Sequence, residues 1–328
     1  MPSELKIDRN EPAVRGEWES VARACPYATF FHTPQWSELL LTQHRCADRN
    51  AARKIFFSDG TSAILPLSSF RRIAWNILWS SPEGTYGGWI SADQLTEDHA
   101  ELLSGILQSY GTIAWRENPY DPLAREIEMP GAIADFTHVF DTEGVPIDAQ
   151  LKAASKGHWA AVKQAGKFGV TIHTGKSIDE WRKHFDAYAD SLRRWSRKGL
   201  QTGTRYSWEL FRAMAASPDI RLWVAEQNGR QLSSMIALYW NRHAVYWHAA
   251  SFSDVFHLRP NDLLLDTFIR DAAEKGFRWI DLNPSGGLDK VADFKDHIGA
   301  KRLEHRFLFK RTGLSAFVHA LRKRAGHQ

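Results

Sequence analysis

The chain has 328 residues, a formal net charge of +4, 43% hydrophobic and 24% charged residues. That balance fits one or two globular domains and excludes a disordered or fibrous chain. Two cysteines exclude a disulfide framework, and the 14 histidines form neither an HExxH pair nor a Cys/His metal spacing, so no metal and no tightly bound cofactor is expected. No apolar run reaches the ~20 residues of a membrane helix, and MPSELKIDRNEP lacks a signal-peptide core, so a cytoplasmic location is expected.

The residues from Glu11 to Arg23 are expected to be helical, with Trp18, Val21 and Ala22 on one face. Thr33 is an N-cap and Pro34 a first helical residue for a helix through Gln43. Asp59-Gly60 turns a hairpin within Lys54 to Phe70, and Ala74 to Trp79 is a strand. Glu97 to Tyr110 carries a Leu102, Leu103, Ile106, Leu107 stripe and stops at Gly111, before a strand from Thr112 to Glu117.

A basic helix is expected from Asp148 to about Phe168. Ser177 and Glu180 form a capping box for a helix with Trp181, Phe185, Tyr188, Leu192 and Trp195 on its inner face. Ser207 caps a short helix with Phe211 and Met214. Arg221 to Trp240 is a hairpin turned at Asn228-Gly229, Ala244 to Ala249 a strand, Pro260 to Lys275 a helix and Phe277 to Leu282 a strand. A polar module with Phe294 and Lys295 follows, and residues 313–328 are expected to be a basic helix.

The order hairpin, strand, helix, strand occurs twice, and IAWRENP (Ile113 to Pro119) stands beside RWIDLNP (Arg278 to Pro284). Repetition at this spacing implies two copies of one α/β unit. The order is that of the acetyltransferase-type fold. The expected class is therefore α/β, with two tandem GNAT-like (acyl-CoA N-acyltransferase type) domains of mixed sheets, 1–148 and 149–312.

The segments SKGHWAAVKQAGKFGVTIHTG, IRLWVAEQNGRQLSSMIALYW, YWHAAS and DFKDHIGA, in this order and spacing, resemble the Fem family. That family comprises aminoacyl and acyl transferases (FemABX-like) within the GNAT acetyltransferase superfamily. The resemblance implies that an amine attacks an activated acyl carbonyl, with aminoacyl-tRNA as donor and a peptidoglycan-like cell-envelope precursor as acceptor. An acyl-CoA or acyl-carrier donor is the alternative. It also implies catalytic roles for Lys295, at the oxyanion or the donor phosphates, and for Phe294, in placing the donor. His248 stands where a tyrosine is expected and is a candidate base.

Substrate-binding candidates are Arg205, Glu38, Trp36, Tyr246 and Arg259. Glu38 occupies the place of a phosphate-binding lysine, and Arg205 lies about one residue from an expected phosphate-binding arginine. His257-Leu258-Arg259-Pro260-Asn261-Asp262 has no glycine, and Pro260 has no N–H to offer a pyrophosphate. Lys152 to Lys198 holds eleven Lys/Arg against four Asp/Glu, an excess that suits tRNA. A non-catalytic RNA- or glycan-binding relative is the further alternative. Arg322-Lys323-Arg324 suits peripheral contact with the inner face of a membrane.

Overall fold

The computed structural model describes residues 4–43, 49–72, 75–80, 82–152, 154–197, 199, 205–286 and 289–311. The expected C-terminal basic helix lies outside the described residues. The chain divides into two compact units, one of residues 1–136 with 304–328 and one of residues 137–303.

The first unit begins with a strand, β1 (Ile7–Pro12), that apolar patterning does not reveal, because five of its six residues are exposed. Its backbone pairs antiparallel with the strand Arg53–Phe57. Helix α1 (Arg15–Ala24) therefore starts four residues later than expected. Helix α2 (Pro34–Gln43) opens on Pro34 as read from the sequence, and the Trp36 N–H donates to Thr33 Oγ1 at 3.1 Å.

Strand β2 (Arg49–Asn50) is short. Strands β3 (Arg53–Phe57) and β4 (Ser62–Leu65) form the hairpin, turned where Asp59 Oδ1 accepts from Thr61 N and Gly60 takes φ 90°. The hairpin ends at Leu65 rather than Phe70. Pro66 interrupts the ladder, and β5 (Leu67–Arg72) pairs instead with β6 (Trp75–Ser80) in another sheet. Helix α3 (Glu97–Ser109) crosses over to β7 (Ile113–Arg116), which runs parallel to β6. Leu103 and Leu107 of α3 pack with Ile113 and Trp115 in the core of this unit.

The second unit opens on residues 137–141 of β8 (Ile133–Asp141). The expected basic helix is two helices, α4 (Ile147–Leu151) and α5 (Lys156–Lys167). The break comes because Ser155 is extended and its Oγ accepts from His158 N at 3.1 Å, as an N-cap does. Strand β9 (Thr171–Gly175) leads to α6 (Ile178–Arg197), whose capping box is formed: Glu180 Oε2 accepts from Ser177 N at 2.8 Å and Ser177 Oγ accepts from Glu180 N at 3.3 Å. Helix α7 (Trp208–Met214) is capped by Ser207.

Strands β10 (Ile220–Gln227), β11 (Arg230–Trp240) and β12 (His243–Ser251) form the antiparallel centre of this unit. Ten successive residues of β11 are buried, because α6 packs on one face and α8 (Pro260–Glu274) on the other. Leu264, Leu265, Phe268, Ile269 and Ala272 supply the inner face of α8; burial of a ring such as Phe268 contributes about 1.5–3 kcal/mol. Gly276 follows at φ 80°, as a helix stop requires. Strand β13 (Trp279–Asp281) runs parallel to β12 and antiparallel to β8, and α9 (Asp289–His297) completes the unit.

The last described strand, β14 (Lys301–Lys310), pairs antiparallel with β7 through residues 307–310 of the first unit. Arg306 binds the buried carboxylate of Glu117 through Nε at 2.9 Å, and its N–H donates to the same carboxylate. The pair leaves neither charge uncompensated inside the unit.

Each unit thus holds the same motif. A strand, a crossover helix and a parallel strand occur as β6-α3-β7 and as β12-α8-β13, each with an antiparallel neighbour on the far side. The unit boundary lies at residue 136/137 where patterning suggests 148, because residues 139–141 of β8 pair with β13.

Candidate active site

In the second unit, β12 and β13 pair only from His243 to Val245 against Trp279 to Asp281. Beyond Val245, β12 runs on to Ser251 while the other strand ends and turns at Asn283, which takes φ 60°. The divergence opens a cleft of about 530 Å³. Tyr246, Ala249 and Ser251 of β12 form one wall.

A second wall comes from the start of α8. Arg259 caps that helix in the left-handed conformation, φ 57°, and its N–H is taken by Phe256 O at 3.2 Å. Pro260 follows without an N–H. Asn261 is fixed by hydroxyls, with Ser251 Oγ donating to its Oδ1 at 2.8 Å and Ser233 Oγ standing 2.7 Å from Ser251 Oγ.

Helix α9 presents Lys290, Val291 and Phe294 to the cleft. Lys290 and Phe294 are four residues apart and share a helical face. Arg194 reaches in from α6, held at 3.3 Å from Asp190 and lying 5.0 Å from the Phe256 ring. The cleft therefore has an aromatic and aliphatic floor and three cations, Arg194, Arg259 and Lys290, on its rim. It can hold an apolar acyl chain on a phosphate-bearing carrier.

Lys295 points elsewhere. One residue on from Phe294, it is turned about 100° around the helix, is 3% exposed, and donates from Nζ to Asn283 O at 2.7 Å. Its ammonium sits at the end of β13, near Asp281, whose Oδ1 accepts from Thr137 Oγ1 and Asn283 N. Next to it, Asp296 bridges His138 at 2.9 Å and Arg302, and these partners hold its carboxyl below the usual range.

His248 lies on the opposite face of the sheet from Tyr246. Ile236 pairs with His248 while Ala237 pairs with Tyr246, so Trp247 is the extra residue of a β-bulge. Without the bulge, residues 246 and 248 would share a face. With it, Tyr246 joins the core beneath α8, and His248 meets His184 of α6, with Nδ1 and Nε2 2.9 Å apart. Tyr188, Tyr206, Phe211 and Trp247 surround it with ring centroids at 4.9–5.5 Å. Burial pushes its imidazole down to about 3 and lowers His184 well below the usual range.

Of the sequence candidates, then, Phe294, Tyr246 and Arg259 meet on one cleft. Arg205 lines a separate recess of about 290 Å³ with Arg193 and Arg197. Trp36 is 1% exposed in the core of the first unit, against Phe30 and Phe31. Glu38, also in the first unit, is exposed and bound to Arg15 at 2.7 Å. Arg194, Lys290, Asn261 and His184 were missed. The four-residue spacing from Lys290 to Phe294 was the one signal available for them. Among the described residues, no three His, Cys, Asp or Glu side chains gather as ion ligands, and no helix is long and apolar enough to cross a membrane.

Residues 153–296 match the family model described as an acetyltransferase (GNAT) domain. The match covers the cleft, and the strand-helix-strand order around it defines the class: a GNAT-type fold. Two further comparisons are with proteins of the kind that the sequence resembles. The chain is 26% identical over 167 residues to a UDP-N-acetylmuramoylpentapeptide-lysine N(6)-alanyltransferase of Weissella viridescens. That alignment covers 49% of this chain and 46% of the relative, so the chain matches about half the length of that enzyme. Its fold is similar to the crystal structure of FemX, with a TM-score of 0.65 and 12% identity over 91% of this chain and 96% of the other. It is also similar to L-PGS from Bacillus licheniformis, with a TM-score of 0.51 and 12% identity over 83% and 88% of the two chains.

Proposed function

We propose that this protein is an N-acyltransferase of the Fem type, moving an aminoacyl group from aminoacyl-tRNA to an amine on a peptidoglycan-like cell-envelope precursor. The observation that carries this reading is the cleft at the parting of β12 and β13, inside the segment that matches the GNAT domain. Its apolar floor suits the acyl group, and its three rim cations suit the phosphates of a carrier. The exposed lysines of α5, Lys156, Lys163 and Lys167, extend positive charge along a neighbouring helix, which suits a polynucleotide carrier.

In the reaction the amine nitrogen bonds to the ester carbonyl carbon, and the carbonyl oxygen becomes an oxyanion. The oxyanion re-forms the carbonyl as the carrier's ester oxygen leaves, and the proton lost by the amine ends on that oxygen. Phe294 and Tyr246 orient the acyl group. Lys295 is turned away from the cleft lining, and its buried ammonium, held on Asn283 O at the end of β13, acts on the developing negative charge through its field rather than by contact.

A thioester of coenzyme A is the second reading, favoured by the GNAT match itself. The start of α8 speaks against it: Arg259 N is already taken and Pro260 has no N–H, so the usual cradle of backbone donors is reduced.

The test is to incubate the protein with charged tRNA or with acyl-CoA, each with amine acceptors, and to follow release of the carrier. Release from tRNA and not from coenzyme A is expected. Lys295→Met, which keeps the buried stem, is expected to lower turnover by about 10²–10³-fold with the fold intact. Full activity in that variant removes Lys295 from the mechanism.

A further inference from the structure

A buried chain of hydrogen bonds runs through the second unit from Gln231 to His248. Gln231 Nε2 lies 3.3 Å from Glu180 O and 3.0 Å from Ser234 Oγ. A backbone carbonyl only accepts, so the amide atom facing Glu180 O is the nitrogen, and the same –NH₂ donates to Ser234. Ser234 Oγ has one proton and one other partner, His184 Nδ1 at 2.8 Å. If it accepted from both Gln231 and Nδ1, the hydroxyl would keep a buried proton with no acceptor among the described residues; donating that proton to Nδ1 avoids the cost, so Nδ1 is the unprotonated nitrogen.

A neutral His184 then carries its proton on Nε2, and this proton is donated to His248 Nδ1 at 2.9 Å. His248 Nδ1 is in turn an acceptor, so the proton of the neutral His248 ring sits on Nε2. That nitrogen has no hydrogen-bond partner among the described residues, and it is not sealed from solvent. Gln231, Ser234 and His184 are all at least 95% buried, so water does not scramble the order. Burial keeps both imidazoles neutral near pH 7, and a charged pair in direct contact would repel.

We propose that His248 is a ligand-contacting hydrogen-bond donor on the α6 side of β12, the face opposite the cleft that Tyr246 lines: a neutral imidazole whose Nε2–H is set by Ser234 and His184 to meet an oxygen acceptor of a substrate bound on that side. His184 and Ser234 are positioning residues, acting only through His248. The assignment reverses the role of base expected from the sequence, because the open nitrogen offers a proton and no lone pair. The ligand it suits is a carbonyl or phosphoryl oxygen. A cation or an ammonium group does not fit. The kinetic part of this inference rests on the acyl-transfer reading; the tautomer does not.

Long-range ¹H–¹⁵N correlation spectra of the histidine rings test the tautomer in the whole protein without substrate. Comparison with His184→Gln and His248→Gln assigns the two rings. Both are expected to show a protonated Nε2 and a bare Nδ1 at pH 7.5. A proton on His248 Nδ1, or an imidazolium pattern, overturns the proposal. Ser234→Ala removes the hydroxyl and is expected to give mixed tautomers at His184; an unchanged spectrum also overturns it.

In transfer assays, His248→Gln keeps an N–H donor and is expected within about 10-fold of wild type, whereas His248→Leu is expected to lose about 10²–10³-fold in kcat/KM. A loss in kcat identifies the oxygen as the reacting carbonyl, and a rise in KM identifies a spectator carbonyl or phosphoryl oxygen. Equal loss in both variants, or loss in neither, overturns the contact. Absence of transfer in the wild type with every donor defeats the functional reading, while the spectra still judge the tautomer.

Discussion

The two units repeat one motif but treat the same place differently. In both, parallel strands part after three paired residues, β6 from β7 and β12 from β13. In the second unit the segment that follows β12 stays to one side, and a cleft of about 530 Å³ remains. In the first, residues 82–90 fold back into the gap. Gly87 N donates to Arg116 O at 2.8 Å, Gly88 N donates to Ser80 Oγ, and Tyr86, Trp89 and Ile90 are buried. One copy of the motif closes on its own chain, and the other is left open for a ligand. The difference lies in the loop, while the strands and crossover helix are shared, as expected when function is carried by connections on a common scaffold.

The largest expected effect comes from forcing the closed copy open. A Cβ at Gly87 would lie 2.0 Å from Ser80 O, a backbone atom that cannot move aside cheaply. Gly87→Ala is therefore expected to cost more than about 4 kcal/mol, read as a shift in denaturant midpoint. A midpoint within about 1 kcal/mol of wild type would show that the loop does not need this approach.

Acid should weaken the same closure. His32 Nδ1 accepts from Thr29 N at 3.1 Å, so its Nε2–H donates to Gly87 O at 3.1 Å. Burial lowers this imidazole from 6.5 to about 4. The unfolded chain thus binds more protons than the folded one between these values, and stability falls as pH falls through that window. The stabilisation is present above pH 6.5 and lost progressively toward pH 4, on the order of 3 kcal/mol. His32→Gln keeps an acceptor for Thr29 and a donor for Gly87, and should flatten the dependence measured by urea unfolding at pH 7 and pH 4.5. An identical slope in the variant would assign the acid sensitivity to other groups.

A smaller effect is expected from closing the open copy. Ala249 lines the cleft and is partly exposed. Ala249→Trp should fill the cleft as Trp89 and Tyr86 fill the space in the first unit. KM for the acyl donor is expected to rise about 10–100-fold, with stability changed by less than about 1 kcal/mol. Unchanged donor kinetics would place the donor outside this cleft.

Much of the scaffold was legible because it rests on local rules. Pro34 and Pro260 open helices where their missing N–H costs nothing, Ser177 with Glu180 closes a capping box, Asp59-Gly60 makes a turn, and the inner face of α8 is periodic. The repeat could be seen for the same reason. Strands β1 and β14 were not legible, since backbone pairing holds them and their side chains alternate poorly. The break at Ser155 was missed because a serine inside a helical pattern does not announce itself as a cap. At the site, Phe294, Tyr246 and Arg259 were chosen from sequence and do share the cleft, whereas Arg194 and Asn261 reach it from elements that sequence distance keeps apart.

By itself the sequence determined the order of elements and the duplicated α/β unit, both products of periodicity and capping within a few residues. The tertiary structure alone decided which side chains face which space. One extra residue at Trp247 puts Tyr246 and His248 on opposite faces of the sheet, and one step along α9 separates a half-buried Phe294 on the cleft from a buried Lys295. The proton on His248 was likewise fixed at a distance, by Gln231, Ser234 and His184. A strand period or a helix period predicts a face only while the register is regular, and register and hydrogen-bond direction are set by partners remote in the chain.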